Sequence, residues 1–472
     1  MSSFKKAVIA GGLFLVAALP FVWHLGSASP FLDYDEATYA RVFTEAVHSG
    51  NFLSFTYLGN HWFEKPPLYF WLMAGSAKVF GISEFALRFP SALLGILCVL
   101  LTAALALRLS KDVRAGALAG LLLAATGEFV YAARQVRMDI PVTAAILAAV
   151  YVFVRGWDDD RWYAVIGPLV GLGVLMKSVI GFLAFPIMLI FAAVYRRWKW
   201  LKDKYFWLGM AVMALVAAPW HIYESLKFGM QFWGPYFGYH ILYRFTHTIT
   251  GNSLGTTLWY IFVLAEPLVL LSAIGLVLLW DGYTTQDTRY RLPVAAGLSA
   301  LFILVLFACS QTKLIYYFEP MYPFAAIFVA AVVLMFTDRL SSTAVRRISY
   351  GCLALLIATG IAGSFWQGAG ERIGFSTEYY YTVDEYHIAT YLADHPLPQA
   401  IYALGWDFWE TLRYYDQGRP IDVAPAQSDP HGFFLIVPGQ VLSQYSLSPE
   451  LQKRAHLRYQ GPALSLFEVD PA

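Results

Sequence analysis

Residues 89–114 read FPSALLGILCVLLTAALALRLSKDVR, an uncharged run from Phe89 to Leu107 followed at once by Arg108, Lys111 and Arg114. As a helix rising 1.5 Å per residue the run spans about 28 Å, close to the roughly 30 Å of a bilayer's hydrocarbon core. A short connector rich in Lys and Arg is the mark of a cytoplasmic loop. The same pattern repeats outward in both directions. Apolar runs occur at 7–23, 115–133 (with Glu128 inside), 140–154, 162–176, 178–195, 205–220, about 257–280 (with Glu266 inside), 292–312, 320–337 and 348–370. That makes about eleven spans, several of only about 15 residues, so charged side chains must cap their ends at membrane depth. The composition agrees: 58% of the 472 residues are hydrophobic and 14% charged, where soluble domains carry about 25% charged residues.

The run 7–23 follows Lys5 and Lys6 and reads as a retained anchor, although Gly-Ser-Ala-Ser at 26–29 offers small residues suited to signal cleavage. With the N-terminus in the cytoplasm, alternation places on one side Arg108 to Arg114, Arg155 and Arg161, Arg196 to Lys204, Arg289 and Arg291, and Arg339 to Arg347. The other side receives residues 26–84, 134–139, Lys177, 221–256, 311–319 and everything after about 370. The second set holds nearly all the reactive side chains, so the active face is expected to be extracytoplasmic. From 371 the composition turns polar, with strand-like runs between turn residues, which predicts a small α/β domain. The expected organisation is a transmembrane domain over 1–370, with outer loops 26–84 and 221–256, and a soluble extracytoplasmic domain over 371–472. A net charge of +1 without a concentrated basic face gives no argument for a nucleic-acid partner, and none is expected. Cys98, Cys309 and Cys352 all fall in apolar runs and indicate neither disulfides nor a thiolate metal cluster.

Three polar stretches carry candidate chemistry. Residues 33–50 read as an amphipathic helix with Tyr39, Val42, Phe43, Ala46 and Val47 on one face and Gly50 as its stop. Asp33 and Glu36 suit a helix cap, but Asp35 makes three acids in four residues, more than a cap uses. One of them, Asp35 or Glu36, suits a general base acting on a hydroxyl. Glu64-Lys65-Pro66-Pro67 opens a second helix, where free backbone N–H groups and an ammonium suit a phosphate, and where a lysine also snorkels to headgroups. Arg134, Arg137 and Asp139 cluster at the mouth of one span and Lys177 at another, and charges at that depth are paired or functional. In 221–256, His221, Glu224, His240, Arg244 and His247 alternate with aromatics; no tight ligand spacing identifies a metal site there.

Taken together, DEATYA (35–40), WFEKPPLYFW (62–71), RMDIP (137–141), GLGVLMK (171–177), GYHILYRF (238–245) and KLIYY (313–317) resemble the 4-amino-4-deoxy-L-arabinose transferases that modify lipid A. They resemble also the wider bacterial group related to protein O-mannosyltransferases. The resemblance implies a GT-C fold and transfer of a sugar from a polyprenyl-phosphate donor on the extracytoplasmic face of a bacterial inner membrane. It implies that Asp35 and Asp139 are the acidic positions of the catalytic machinery, that Glu64 and Lys65 are the family's Glu-Lys pair, and that Lys177, His240, Arg244, Lys313 and Tyr317 surround the donor cavity; the donor phosphate is expected to meet Lys65, Arg137, Lys177, Arg244, Lys313 and Tyr317. Glu64 and His240 match a pair that helps hold a zinc ion, so a divalent metal is an expected cofactor. Two positions depart from the arabinose transferases: Thr38 stands where they commonly carry Arg, and KLIYY replaces Lys-Leu-Pro-x-Tyr. The expected function is an inverting glycosyltransferase acting on lipid A, another glycolipid or a protein. The alternative is a flippase of lipid-linked sugars, which would use intramembrane charges for translocation.

Overall fold

A computed structural model describes residues 15, 17–26, 30–31, 34–247, 288–312, 314–368, 377–395, 400–403, 410–416, 421–422, 432–439 and 449–471. The expected span at 257–280, the first half of that at 7–23, Asp33 and Lys313 lie outside the described residues. The chain divides into two compact units, one comprising Met1–Gly26, Asn51–Ser54 and Trp62–Ala369, the other Ser27–Gly50, Phe55–His61 and Gly370–Ala472.

In chain order, α1 (Tyr34–Ser49) and the hairpin of β1 (Phe55–Tyr57) and β2 (Asn60–Trp62) precede the helical array of the larger unit. That array comprises α2 (Leu68–Phe80), α3 (Glu84–Ser110), α4 (Val113–Ala124), α5 (Gly127–Ala133), α6 (Asp139–Arg155) and α7 (Tyr163–Lys177). It continues with α8 (Ala184–Tyr195), α9 (Lys204–Phe228), α10 (Arg291–Cys309), α11 (Met321–Arg339) and α12 (Thr343–Gly368). Among the described residues six stretches are long and apolar enough to cross a membrane: Glu84–Ser110, Asp160–Tyr195, Lys204–Phe228, Arg291–Cys309, Met321–Arg339 and Thr343–Phe365. The pair α4 and α5, bent by 68°, makes a seventh. The difference from about eleven has physical causes. Two runs lie partly or wholly outside the described residues, and α6 is only 17 residues long. The runs at 162–176 and 178–195 belong to one stretch, broken at Ser178, whose φ of 52° ends α7 before a 3-10 turn leads into α8.

The helices pack through small residues, since in lipid close backbone approach takes the place of a hydrophobic drive between helices. At the crossing of α7 and α9, a Cβ on Gly167 would collide with the carbonyl group of Gly209. Outward, α9 exposes Trp207, Leu208, Leu215 and Leu226, a surface that suits hydrocarbon. The connectors expected on the cytoplasmic side contact one another: Arg108 pairs with Asp158, Arg339 meets the Tyr290 hydroxyl, and Arg114 forks onto Asp338 at 2.9 Å while holding Asp112 at 2.7 Å. This is a multi-pass membrane unit.

The second unit is built on a five-stranded sheet of order β4-β3-β5-β7-β6: β3 (Ala400–Ala403), β4 (Ile421–Asp422), β5 (Phe433–Pro438), β6 (Ala455–Gln460) and β7 (Leu464–Val469). β3 runs parallel to β4 and β5, and β7 antiparallel to β5 and β6. The helices α13 (Thr377–Asp394), α14 (Glu410–Tyr415) and α15 (Pro449–Arg454) complete an α/β fold. Alternation along β5 sends Phe434 and Ile436 into one core, with Ile388, Leu392 and Leu466, and Phe433, Leu435 and Val437 into another. The buried Asp384 ties α13 to the β6–β7 turn by accepting from Tyr459 Oη (2.8 Å), Ala463 N (2.7 Å) and Leu464 N (2.7 Å). In the same unit Phe31 donates its N–H to Tyr415 Oη (2.9 Å) and accepts from Thr411 Oγ1 (2.8 Å), which anchors the chain just before α1 to α14. Glu45 of α1 organises the hairpin by accepting from Thr56 Oγ1 (2.7 Å), Leu58 N (2.8 Å) and Gly59 N (3.3 Å).

Candidate active site

Within the membrane unit the charged side chains singled out by sequence converge in two adjoining groups. The first forms at Glu64 and Lys65, in the polar chain ahead of α2, where Pro66 and Pro67 end at the first helical residue, Leu68. Lys65 Nζ stands 3.5 Å from Glu64 Oε2, and His240 Nε2 stands 3.6 Å from the same oxygen. His240 projects from a π-helical segment, Gly234–Tyr243, a rare wide helix form frequent at functional sites. Arg244 follows one turn later with its guanidinium 5.8 Å from the Tyr239 ring. Burial, then the positive charges of Lys65 and Arg244, push the His240 imidazole down to about 2, so it is neutral at any physiological pH.

The second group joins α6, α7 and the turn before α11. Lys177, at the end of α7, pairs with Asp139, at the start of α6. The strained Ser178 is the residue that turns the chain directly after that lysine. Lys177 Nζ also lies 5.6 Å from the Tyr317 ring, and Arg137 lies 3.3 Å over the ring of Tyr316. Arg137 Nε donates to Gln135 Oε1 at 2.8 Å, and the Arg137 carbonyl accepts from Ser91 Oγ at 2.9 Å. Arg137 is 2% exposed and Asp139 6%. Ionic groups this deep persist only when neighbouring charges and dipoles offset their desolvation.

Two connections hold the groups beside each other. Phe63 packs in one apolar cluster with Leu175, Trp220, Phe232 and Tyr236, which fixes the neighbours Glu64, Lys177 and His240 from behind. The carbonyl of Arg244 accepts from Thr312 N at 3.0 Å and Ser310 Oγ at 3.3 Å, binding the π-helical segment to the chain that leads into Tyr316 and Tyr317. Lys65, Arg137, Lys177, Arg244, Tyr317, Glu64, His240 and Asp139 thus belong to one locality. Asp35 and Glu36 belong to the other unit, in the first turn of α1, Asp35 half-buried and Glu36 buried. Lys313 is outside the described residues. Sequence reasoning missed three participants: Tyr316, which carries the Arg137 guanidinium, Gln135, and the acid Glu319. Glu319 had a signal, as a carboxylate directly at the mouth of an apolar run.

Glu64 and His240 offer two donors at a separation two ligands of one ion can have, but a zinc site needs three or four. Among the described residues no group of three or more His, Cys, Asp and Glu is arranged to hold a metal ion, and Lys65 and Arg244 already bring positive charge to the place of Glu64 and His240. These residues alone therefore do not make a metal site.

Residues 64–223 match the family described as dolichyl-phosphate-mannose-protein mannosyltransferase. The undecaprenyl phosphate-alpha-4-amino-4-deoxy-L-arabinose arabinosyl transferase of Pseudomonas savastanoi pv. phaseolicola is 28% identical over 344 residues, 69% of this chain and 61% of that protein. The chain thus spans less than two thirds of that relative's length. Among solved structures, ArnT from Cupriavidus metallidurans bound to undecaprenyl phosphate superposes with a TM-score of 0.74 at 18% identity over 100% of both chains. The Archaeoglobus fulgidus oligosaccharyltransferase in complex with zinc and sulfate gives a TM-score of 0.56 at 13% identity, covering 90% of this chain and 68% of that one. The fold is that of these GT-C proteins, and the resemblance read from the motifs is borne out.

Proposed function

We propose that this chain is an inverting glycosyltransferase that transfers a sugar from a polyprenyl-phosphate donor to an envelope acceptor, a glycolipid such as lipid A or a protein, at the extracytoplasmic face of a bacterial inner membrane. The observation that carries the reading is the gathering of four cations from four separate segments in two adjoining groups, Arg137 and Lys177 beside Tyr316 and Tyr317, and Lys65 and Arg244 around His240. Such a set suits a lipid phosphate, and the arabinose-transferase relatives and the ArnT complex concern undecaprenyl phosphate by name.

In the proposed reaction the acceptor oxygen attacks the anomeric carbon, the bond from that carbon to the phosphate oxygen breaks, and polyprenyl phosphate leaves with the electron pair. The negative charge that grows on the leaving phosphate is met by Lys65, Lys177 and the two arginines, an electrostatic contribution that usually dominates catalysis. Asp139 holds Lys177 in place. Asp35 is assigned by its motif to the acceptor hydroxyl, which it orients or deprotonates; if the acceptor were a phosphate, little base would be needed and Asp35 would position it. Glu64 faces both Lys65 and the neutral His240.

The test is transfer of radiolabelled sugar from a panel of synthetic undecaprenyl-phosphate sugars to extracted envelope lipids and proteins. Label should reach one acceptor fraction with the wild-type chain and be lost with Asp35→Asn and Lys65→Ala. Absence of transfer from every donor, with labelled lipid changing leaflet in proteoliposomes, would replace the enzyme by a flippase.

A further inference from the structure

Glu319 takes no part in the mechanism above, yet it stands in the middle of its charges. It lies in the turn between α10 and α11, is 0% exposed, and among the described residues neither carboxylate oxygen accepts a hydrogen bond. Its surroundings are fixed from several elements. Three residues earlier Tyr316 lies under Arg137, and two residues earlier Tyr317 faces Lys177. Three residues later Tyr322 donates its N–H to the Glu319 carbonyl at 3.3 Å and sets its ring 6.5 Å from Phe129 of α5, the neighbour of Glu128. The charged and titratable groups facing Glu319 are therefore Glu128 from α5, Arg137 and Asp139 at the head of α6, Lys177 from α7 and the Cys98 thiol from α3.

A buried carboxylate without hydrogen bonds is among the costliest groups a protein can carry, and it takes up a proton instead. Burial, then the Glu128 and Asp139 carboxylates, raise the Glu319 carboxyl well above the ordinary range, while Arg137 and Lys177 pull it back. The charge balance reaches the same answer independently. Three ionised carboxylates, Glu128, Asp139 and Glu319, would outnumber Arg137 and Lys177, the two cations that face them, and compete with a phosphate for both. With Glu319 uncharged the four remaining charges balance, and an arriving phosphate meets Arg137 and Lys177 with one carboxylate fewer competing for them.

We infer that Glu319 is an uncharged positioning residue of the donor-phosphate site, which keeps Arg137 and Lys177 available to the phosphate by withholding a third negative charge. Once its proton is lost, the carboxylate competes with the phosphate for both cations. The inference rests on the placement of the donor phosphate proposed above, and it names a role for a residue outside the motifs.

The experiment measures the Kd of undecaprenyl phosphate for the full-length chain in lipid nanodiscs between pH 7 and 9.5, for wild type and Glu319→Gln. A phosphate monoester completes its second ionisation near pH 6, so the ligand's charge is constant over this range to a good approximation. At pH 7.5 Glu319→Gln should bind within about threefold of wild type, because glutamine reproduces the neutral acid in size and charge. Towards the alkaline end the wild-type Kd should rise, approaching tenfold per pH unit beyond the ionisation, by linkage of one proton to one phosphate. The Glu319→Gln curve should stay flat. A Glu319→Gln chain that folds but binds tenfold or more weakly at pH 7.5, or whose pH curve superposes on that of wild type, overturns the inference. So does failure of Glu319→Gln to fold, since a neutral acid would be replaced there by its nearest neutral equivalent. A wild-type chain that binds undecaprenyl phosphate at no pH removes the proposed phosphate site and the inference together, which separates the two failures.

Discussion

Removing Lys177 and removing Asp139 should have unequal consequences, although the two side chains form one ion pair. Asp139 is 6% exposed, so the pair is held where leaving one partner uncompensated costs about 3–5 kcal/mol. With Lys177→Met, Asp139 and Glu128 are left with Arg137 as the nearby cation, and Glu319, already protonated, has no means of correcting a negative excess. The full cost of about 3–5 kcal/mol is expected. With Asp139→Asn the excess is positive, and Glu319 corrects it by releasing its proton; the expected cost falls to about 1–2 kcal/mol, the scale of one pKa unit and a lost hydrogen bond. The double variant Asp139→Asn/Glu319→Gln lacks that reserve and should return to about 3–5 kcal/mol, a non-additivity of about 2 kcal/mol. Equilibrium unfolding in mixed micelles, run on wild type, the three single variants and the double variant, measures these values. An Asp139→Asn chain at least as destabilised as Lys177→Met, or a coupling with Glu319→Gln below about 0.5 kcal/mol, would refute the reasoning.

Lys65→Ala should lower transfer about 10²-fold, in the range found when one group stabilising a transition-state charge is removed; a radiolabel assay with the donor saturating checks it, and unchanged turnover would take Lys65 out of the site. His240 titrates ordinarily in the unfolded chain but near 2 in the folded one. Its contribution therefore falls as pH drops below about 6.5, where the unfolded chain binds the extra proton. NMR of ring-labelled histidine should show His240 still neutral at pH 5, whereas a protonated ring there would contradict its placement. Burial would raise the Glu45 carboxyl, but hydrogen bonds from Thr56, Gly59, Arg41 and Leu58 outweigh it and hold it below the ordinary range. The stability it adds is present at neutral pH and disappears as pH falls through the acid range, so Glu45→Gln should flatten part of the acid limb of unfolding; an unchanged limb would show that the hairpin does not depend on it. At Gly167 even an alanine drives its Cβ into the Gly209 backbone carbonyl. Gly167→Ala should cost about 1–3 kcal/mol, and Gly167→Val more, in the same unfolding assay.

The spans were legible because hydrocarbon selects for apolar side chains one segment at a time, and the runs at 89–107, 292–312 and 320–337 reappear as α3, α10 and α11. The break at Ser178 was marked only by Lys177, since nothing in SVIGFL announces a left-handed serine followed by a 3-10 turn. In α1 the apolar face was readable, and Tyr39, Val42, Phe43 and Ala46 are buried. What lies with it was not: the hydrogen bonds joining Phe31 to Thr411 and Tyr415 link residues some 380 positions apart, and no local pattern encodes such a pairing. The site shows the same division. Lys65, Lys177 and His240 sit in quotable motifs, whereas the role of Glu319 depends on which carboxylates and cations surround it, which the fold alone decides.

Charge placement also separates the enzyme from the flippase. Carrying a phosphate-linked sugar between leaflets calls for polar groups along the whole path, often on broken helices. Among the described residues two spans are broken, one at Ser178 directly after Lys177 and one at the 68° bend between α4 and α5, which delivers Glu128 to the locality of Asp139 and Glu319. Arg88, Glu128, Arg134, Arg137, Asp139 and Glu319 are all buried, whereas Arg114 and Asp338, which join two of the opposite connectors, have side chains 48% and 47% exposed. A pair so exposed is worth little and can be dispensed with. Arg114→Gln should therefore leave transfer within about twofold of wild type, while Arg137→Gln should lower it at least as far as Lys65→Ala does. A translocation path would need both ends, so equal losses from Arg114→Gln and Arg137→Gln would favour the flippase.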